Sequence, residues 1–305
     1  MGHVHQQDRG LSLMSDAPLV SVILPTYNRS HTLLRAINSV LNQDYRTIEL
    51  IVVDDASTDG TNALLATITD PRLRIIRHDR NKGVAGATNT GIQSARGAMI
   101  AFQDSDDEWL DGKLSQQMAR FAAAPPDCVC IYCIKIVYGR DPKFRRGQRR
   151  VACVPGPEAT VVEGNLREVL WRRNIVSPQT ALCTREAALR VGGFDEKLRS
   201  DQDWDFFSQL AEIGSFAFVD APLVSTYLQT DSISANTRKS QYSQFIVTNK
   251  MKRRGVPRVV LAEHWARLGY HIGQHRGTVL LRAALATRPL HAKSWARYLV
   301  TRFLR

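Results

Sequence analysis

The sequence predicts an α/β fold with a mostly parallel central sheet and a helical extension at its C-terminal end. Short apolar runs alternate four times with segments of helical spacing in the first hundred or so residues, which is typical of parallel strands connected by helices. Acidic residues follow two of these runs, where such sheets bind ligands. Residues 238–305 carry 15 Lys and Arg against one acid, whereas the rest of the chain is close to neutral.

Composition excludes several classes of protein. The 305 residues are 44% hydrophobic and 23% charged, the usual balance of a soluble globular protein. No apolar run reaches the roughly 18 residues of a membrane-spanning helix, and the N-terminus lacks a signal core. Five cysteines give no disulfide framework, and their odd number indicates a reducing compartment. We therefore predict a cytoplasmic protein, and the basic end leaves peripheral contact at the inner face of the membrane open.

The first half of the chain predicts regular alternation of strands and helices. Each strand is an apolar run ended by turn residues, and each helix repeats apolar residues every three or four positions. The predicted strands are Leu19–Leu24, Ile48–Val53, Leu73–Arg77 and Ala98–Gln103. The predicted helices are Ser30–Gln43, Gly60–Ile68 and Val84–Ala95.

The second half predicts a less regular order, in which strands and helices no longer alternate. The predicted helices are Leu110–Ala123, Val162–Arg173, Arg185–Val191 and Gln202–Ile213. The predicted strands are Cys128–Tyr138, Thr180–Cys183, Phe216–Val219 and Leu223–Tyr227, with a basic loop at Gly139–Arg150. From Ser240 the pattern is helical to the end, interrupted at Gly255 and Pro289.

Three cysteines lie close together on one predicted strand, at Cys128, Cys130 and Cys133. A structural zinc site needs four ligands, and the sequence offers no convincing fourth. We therefore predict that these cysteines are buried as small apolar residues.

An acidic cluster follows the fourth predicted strand, at Asp104, Asp106 and Asp107. Carboxylates this close repel one another, so they need water, protons or a cation. Mg²⁺ and Mn²⁺ take oxygen ligands and share them with substrate phosphates. The alternative is a helix start, because Ser105–Glu108 has the order of a capping box. The position directly after a buried strand favours the metal.

Two further acidic positions have both a functional and a structural explanation. Asp54 and Asp55 follow the second strand, where they can accept hydrogen bonds from a nucleobase or ribose, or can form the turn into the next helix. Asp203 lies in the first turn of the predicted helix Gln202–Ile213, where an acid stabilises the helix dipole. The residues alone leave the first pair open and favour the structural role for Asp203.

Five segments in this order resemble the family 2 glycosyltransferases, which have the GT-A fold. The segments are Val20–Arg29 (VSVILPTYNR), Val52–Thr61 (VVDDASTDGT), Asp104–Asp107 (DSDD), Gly192–Glu196 (GGFDE) and Gln202–Asp205 (QDWD). The resemblance covers about residues 19–235. It implies a GT-A-like catalytic domain, a nucleotide-sugar donor, a divalent metal (Mn²⁺ or Mg²⁺) and inversion at the anomeric carbon.

The resemblance also implies roles for individual residues. Asp55 matches the position that reads the base. Asp106 matches the direct metal ligand of the DxD pair, and Asp104 matches its partner, which acts on the ribose or on the metal through water. Asp203 matches the catalytic base. The implied nucleotide-sugar-binding residues are Pro25, Thr26, Tyr27, Asn28, Asp54, Asp55, Lys82, Asp104 and Ser105.

The sequence departs from the family pattern in three places. Thr88 stands where the family often has an Arg, so we assign the corresponding contact to Lys82. The segment Tyr227–Ser232 has neither the Arg nor the His of many members, so no His metal ligand is assigned. The Gln-x-x-Arg-Trp motif of processive synthases is absent, which favours a single-addition transferase.

Taken together, these features predict transfer of one sugar from a nucleotide-sugar, with a UDP-sugar favoured, to a hydroxyl of a glycan or lipid-linked acceptor. The pathway would be synthesis of a cell-surface or extracellular glycan. A nucleotidyltransferase on a related fold, and a non-catalytic protein that binds nucleotide-sugars or polyanions, remain as alternatives. We expect no nucleic-acid partner, because no recognition motif accompanies the basic charge.

The predicted domain organisation has three parts. Residues 1–18 form a disordered lead, and residues 19–237 form the catalytic domain, with a nucleotide-sugar half (19–110) and an acceptor half (111–237). Residues 238–305 form the basic helical extension. Its last predicted helix, Ala292–Leu304, has one apolar face. Docking of this helix on the catalytic domain is favoured, and contact with an anionic membrane stays open.

Overall fold

A single nine-stranded sheet organises the chain in the computed structural model, which describes residues 17–140, 149–227, 237–272 and 274–287, together with 289, 294, 295, 297 and 298. The strands are β1 (Val20–Thr26), β2 (Ile48–Asp54), β3 (Leu73–Arg77), β4 (Met99–Phe102), β5 (Glu108–Trp109), β6 (Cys128–Arg140), β7 (Arg149–Val154), β8 (Ala181–Thr184) and β9 (Ser215–Tyr227). Their order across the sheet is β3-β2-β1-β4-β8-β6-β9-β5, and β7 pairs with β6.

Ten α-helices accompany the sheet in the described part of the chain. They are α1 (Leu33–Leu41), α2 (Thr61–Ala66), α3 (Gly83–Ser94), α4 (Lys113–Ala122), α5 (Arg167–Arg172), α6 (Arg185–Arg190), α7 (Gln202–Ile213), α8 (Thr237–Arg253), α9 (Arg258–Ile272) and α10 (Gln274–Thr287). Most of the predicted lead 1–18, of the basic loop Gly139–Arg150 and of the last predicted helix lies outside the described residues.

The predicted parallel half is confirmed. Strands β3, β2, β1 and β4 are all parallel neighbours, and helices cover both faces. Ile23, Ile51 and Val53 pack in the same core as α3 on one face, whereas Val22 and Leu50 pack in the same core as α1 on the other. Because both faces are buried, these strands are apolar at nearly every position rather than at alternate ones.

The second half adds antiparallel pairs around β6, which lies parallel to β9 and antiparallel to β7 and β8. Strand β9 is continuous, whereas the sequence predicted two strands. A register shift near Pro222 lets it continue past a residue that cannot donate to the ladder. The helix predicted at Val162–Arg173 begins only at Arg167, because Gly164 exchanges two backbone hydrogen bonds with Phe216 of β9.

The alternative explanation of Ser105–Glu108 as the start of a helix is wrong. Glu108 and Trp109 form β5, which pairs with Val224 and Ser225 of β9, so no helix begins there. Helix α4 starts later, at Lys113. The acidic segment therefore lies in a loop between two strands, and Asp104–Asp107 line the cleft described below.

Helices α8 and α9 of the C-terminal extension pack against the part of the chain that precedes the extension. Leu198 and Trp204 share one buried cluster with Val247 and Met251 of α8 and Val260 of α9. The helix Ala292–Leu304, for which the sequence favoured docking, lies mostly outside the described residues. Among the described residues, no helix is both long and apolar enough to cross a bilayer.

Lys113 is a buried charged residue beneath the sheet. Its side chain is fully buried, its Nζ donates to Gln117 Oε1 at 2.8 Å and it lies 3.8 Å from the centre of the Trp109 ring. Burial lowers the pKa of Lys113 to about 8. An unfolded lysine titrates near 10.4, so between about pH 8 and 10 the unfolded chain binds more protons at this residue. Loss of the Lys113 proton therefore makes the folded state more stable, relative to the unfolded chain, as the pH rises.

We expect Lys113→Met to remove this pH dependence. The unfolding free energy of the variant, relative to wild type, should fall by about 2 kcal/mol between pH 8 and 10, which is roughly 1 kcal/mol per pH unit. Urea unfolding of both proteins at both pH values measures the difference. The wild type has to be compared with the variant because other groups also make stability depend on pH: burial raises the pKa of Cys133 to about 11. A constant gap between the two proteins would show that Lys113 does not titrate in this range.

Candidate functional site

A cleft of about 1090 Å³ opens at the carboxyl ends of β1, β2 and β4. The first half of the chain contributes the loop after β1, Asp55, the start of α3 and the acidic loop Asp104–Asp107. The other half contributes parts of β6 and β9, the turn Ser177–Gln179 and the segment Ser200–Asp203. The cleft therefore unites motifs that lie about a hundred residues apart in the chain.

The loop after β1 brings all four of its predicted residues, Pro25 to Asn28, to the cleft. Asn28 adopts a left-handed backbone with φ 52°, which asparagine tolerates better than most residues. Its backbone N–H donates to Ser57 Oγ at 2.9 Å, and its Oδ1 accepts from the Thr58 N–H at 2.8 Å. The ring of Tyr27 stays 45% exposed. The loops after β1 and β2 thus hold each other, and the Tyr27 ring remains available for stacking.

Asp55 is buried at the edge of the cleft and accepts three hydrogen bonds. They come from the backbone N–H groups of Lys82 (2.9 Å) and Gly83 (2.8 Å) and from His78 Nδ1 (2.7 Å). Gly83 has φ 80°, which favours glycine. Asp55 therefore fixes the turn into α3, and His78 is a supporting residue that the sequence analysis missed.

Two predicted donor ligands do not bring their side chains to the cleft. Asp54 is fully buried, and its Oδ1 accepts from the Ser57 N–H at 3.0 Å. Neighbouring residues of a strand point to opposite sides, so Asp54 cannot share the direction of Asp55. Lys82 contributes its backbone N–H to Asp55, and its side chain is exposed outside the cleft lining.

The acidic loop places Asp104, Ser105, Asp106 and Asp107 in the cleft lining. Burial, and then the charges of Asp107 and Asp106, raise the pKa of Asp104 well above its usual range. Burial, and then the charge of Asp106, raise the pKa of Asp107 to about 6. Asp106 lies 3.9 Å from Arg29 Nε. The loop holds like charges together at a cost that a cation would offset.

Asp107 differs from the other two acids because it is buried and bonded within the protein. Its Oδ2 accepts from Gln179 Nε2 at 2.7 Å and from Thr226 Oγ1 at 2.9 Å. Within the described residues, no three His, Cys, Asp or Glu side chains form a ready-made metal site. The oxygen ligands at Asp104 and Asp106 nevertheless fit Mg²⁺ or Mn²⁺, which often bind to one or two carboxylates and complete their shell with water and phosphate.

Asp203 reaches the cleft from the first turn of α7. Its Oδ2 accepts from Asn174 Nδ2 at 2.8 Å, so Asn174 orients the carboxylate. Burial raises the pKa of Asp203, and its charge contributes to the raised pKa of Asp104. Asp201, just before the helix, has φ 56°, and left-handed non-glycine residues of this kind concentrate at functional sites.

Lys135 is a cleft residue that the sequence analysis missed. Arg29 and Lys135 are the cations among the described residues that line the cleft. The charge of Lys135 acts to lower the pKa of Asp104, Asp107 and Asp203, which line the same cleft. A single lysine within the apolar segment Cys128–Tyr138 was the available signal.

The GGFDE motif supports the cleft through α3. Asn89 Nδ2 donates to the Phe194 carbonyl at 2.8 Å, and Asn89 Oδ1 accepts from the Phe194 N–H at the same distance. Gly193 has φ 73°, and a Cβ there would collide with Asn89. The motif therefore serves to position Phe194 against the cleft, where it lines the wall.

Comparison with known sequences identifies the family. Residues 21–189 match the model of glycosyl transferase family 2. WcaA of Escherichia coli K12, a glycosyl transferase assigned to colanic acid biosynthesis, is 31% identical over 212 residues, which are 65% of this chain and 67% of WcaA. WfgD of Escherichia coli, a UDP-Glc:α-D-GlcNAc-diphosphoundecaprenol β-1,3-glucosyltransferase, is 44% identical over 104 residues, 34% of this chain.

Some of these matches cover only part of the relative. The chain spans 41% of the length of WfgD. It spans 31% of the succinoglycan biosynthesis protein ExoO of Rhizobium meliloti, which is 48% identical over 107 residues, 35% of this chain.

Solved structures show the same fold. TarS (residues 1–349) of S. aureus superposes with a TM-score of 0.64 at 18% identity, covering 92% of this chain and 89% of that one. The mannosyltransferase PcManGT of Pyrobaculum calidifontis gives 0.62 at 22% identity, covering 92% and 79%. The GT-A-like α/β fold is therefore confirmed. Together with the match over residues 21–189, it shows that the chain belongs to glycosyl transferase family 2.

Proposed function

We propose that the chain is an inverting glycosyltransferase that moves a single sugar from a nucleotide-diphosphate sugar to an acceptor hydroxyl. The observation that carries the proposal is the convergence of Asp104, Asp106 and Asp203 on one cleft, beside the loop that carries Tyr27. Asn174 orients the Asp203 carboxylate within the cleft that the acidic loop also lines, which favours catalysis over binding alone.

The residues divide the chemistry between leaving group and nucleophile. Asp106 and Asp104 would hold a divalent cation, which when bound offsets the negative charge that grows on the departing nucleoside diphosphate. Asp203 takes the proton of the acceptor hydroxyl while the acceptor oxygen bonds to the anomeric carbon and the bond to the diphosphate oxygen breaks. One carboxylate that acts as a base, with no covalent sugar intermediate, gives inversion.

The donor and acceptor classes are proposed from the relatives. A UDP-sugar is favoured because WfgD uses UDP-Glc and TarS has been crystallised with UDP-GlcNAc. Mn²⁺ is proposed because PcManGT was solved with GDP-Man and Mn²⁺. A glycan or lipid-linked acceptor, within surface polysaccharide synthesis, is proposed because WfgD acts on a diphosphoundecaprenol-linked sugar and WcaA is assigned to colanic acid biosynthesis.

A lipid-linked acceptor would bring the enzyme to a membrane surface, so we propose a cytoplasmic protein with peripheral contact at the inner face. The excess of 15 Lys and Arg over one acid in residues 238–305 supports attraction to anionic lipid. Cosedimentation with anionic and neutral liposomes tests the contact. Binding that needs anionic lipid and weakens with salt is expected, and no binding at low salt would contradict it.

A thermal-shift screen tests the donor class. The protein is heated with UDP-Glc, UDP-GlcNAc and GDP-Man, each with Mn²⁺ or with EDTA. A ligand at a hundred times its dissociation constant should stabilise the fold by about 2.7 kcal/mol, and we expect the largest shift from a UDP-sugar with Mn²⁺. UMP with Mn²⁺ is the control that keeps the base and ribose but lacks the diphosphate and the sugar. Stabilisation by a nucleoside triphosphate, and by none of the nucleotide-sugars, would instead favour a nucleotidyltransferase.

A further inference from the structure

The C-terminal extension contacts α7, the helix that carries Asp203, on the side away from the cleft. Lys250 of α8 contacts two carboxylates at once: its Nζ lies 2.8 Å from Asp195 Oδ2 and makes a short contact with Asp205 Oδ2. Arg254, just beyond α8, donates to Ser208 Oγ at 3.1 Å. These contacts join the extension to α7 and to the GGFDE motif.

The carboxylate of Asp205 depends on these cations. Its side chain is fully buried, and its Oδ1 has no hydrogen-bond partner within the described residues. Arg254 Nη2 lies 3.9 Å from that oxygen, and Gln209 Nε2 donates to Oδ2 at 3.1 Å. A buried charge that loses its counter-charge strongly destabilises its surroundings. Lys250 is therefore the nearest counter-charge of the buried Asp205 carboxylate.

Asp205 lies two residues after Asp203. Two residues of an α-helix are about 200° apart around its axis, so the two carboxylates leave the first turn on nearly opposite sides. Asp203 faces the cleft and Asn174, whereas Asp205 faces α8 and Lys250. The turn that carries the proposed base is thus fixed from both sides.

Helix α8 also contacts the segment that immediately precedes the first turn of α7. Ser243 Oγ accepts a hydrogen bond from the Ser200 backbone N–H at 3.2 Å. Ser200 is next to Asp201, the residue with the left-handed backbone, and both line the cleft. The extension therefore also contacts the segment with the left-handed backbone that precedes Asp203.

We propose that Lys250 is a positioning residue for catalysis: through Asp205 it fixes the first turn of α7 and so the place of the Asp203 carboxylate. The proposal rests on the function proposed above. It predicts that the extension contributes to turnover and not to donor binding, because Lys250 lies outside the cleft lining. A displacement of the base by about 1 Å is enough to cost a large factor in rate.

A matched pair of variants tests the proposal. Lys250→Met removes the cation and keeps the length of the side chain. Arg172→Met is the control, because Arg172 also joins the catalytic half to the extension, through Glu263 at 2.7 Å, and lies outside the cleft lining. Three quantities are measured on both: UDP release from UDP-Glc with water as the acceptor of the glucosyl group, UDP affinity in Mn²⁺ by calorimetry, and hydrogen exchange of residues 198–207.

We expect Lys250→Met to release UDP at least about ten times more slowly, with UDP affinity within about two-fold of wild type and faster exchange in residues 198–207. Lys250→Arg should recover most of the rate, because an arginine also reaches both carboxylates. Arg172→Met should keep the rate within about two-fold. An unchanged rate in Lys250→Met, equal losses in the two Met variants, or parallel losses of rate and UDP affinity would overturn the proposal.

Two further results keep the proposals separate. If Lys250→Met does not fold, Ser243→Ala removes only the contact to Ser200, and we expect a rate loss of about three-fold with unchanged UDP affinity; an unchanged rate overturns the positioning role. If wild type releases no UDP from any nucleotide-sugar, the proposed function fails. The exchange data then decide whether Lys250 orders the first turn of α7, and equal exchange in the wild type and Lys250→Met overturns that claim.

Discussion

Asp203→Asn is expected to lower turnover by about 10²-fold or more while donor binding stays nearly unchanged. General base catalysis contributes on this scale, and an amide cannot take the proton of the acceptor hydroxyl. Asparagine keeps the shape of the side chain, and its Oδ1 can still accept from Asn174 Nδ2. Initial rates of UDP release, with UDP affinity measured by calorimetry in Mn²⁺, separate the two effects.

The control for this variant is Asp220→Asn, an equal change at an exposed position of β9 outside the cleft. It should leave both the rate and the UDP affinity unchanged. Normal turnover in a folded Asp203→Asn protein would refute the role of Asp203 as the base. A loss of UDP affinity as large as the loss of rate would assign Asp203 a structural role instead.

Asp106→Asn is expected to weaken UDP binding about 10²-fold in Mn²⁺ and to change it little in EDTA. Loss even of an outer-shell partner of a metal ligand costs about 10- to 100-fold in metal affinity, and an amide replaces the negative charge that would face the cation. Asp106 lines the cleft with its side chain partly exposed, so a metal shared with a diphosphate can reach it. Calorimetric titration of UDP in the two buffers measures the difference.

Glu108→Gln is the matched control for the metal experiment. It removes one negative charge two residues further along the chain, and Glu108 lies outside the cleft lining. Its carboxylate lies near Tyr227 and Arg35, at 3.4 and 4.0 Å. UDP affinity of this variant should match wild type in Mn²⁺. If Asp106→Asn weakened binding equally in Mn²⁺ and in EDTA, Asp106 would not act through a metal.

The sequence predicted the parallel half of the fold well because each strand and helix there has a recognisable pattern in its own residues. A strand buried on both faces is an apolar run, as in Ile48–Asp54, and that run is visible without knowledge of its partners. Strand β9 was divided in two because Pro222 looks like a breaker, and only the register shift against β6 explains how the strand continues. A short segment of sequence does not show which strands pair with each other across the sheet.

The same distinction applies to the site. Asp55, Asp104, Asp106 and Asp203 could be proposed from motifs, and all four line the cleft. The different direction of Asp54 could have been inferred from strand alternation. Contacts such as Lys250 with Asp205 join residues 45 apart and carry no local signature, so the support of the base was beyond prediction.

The order of the motifs along the chain has a consequence for synthesis on the ribosome. The loop after β1, the turn after β2 and the acidic loop are all complete by Asp107. Asp203 appears about a hundred residues later, and Lys250 follows after a further 47. At roughly 5–20 residues per second, the ribosome makes Lys250 about 7 to 30 seconds after Asp107, so the cleft residues of the first half exist well before the residues that support Asp203.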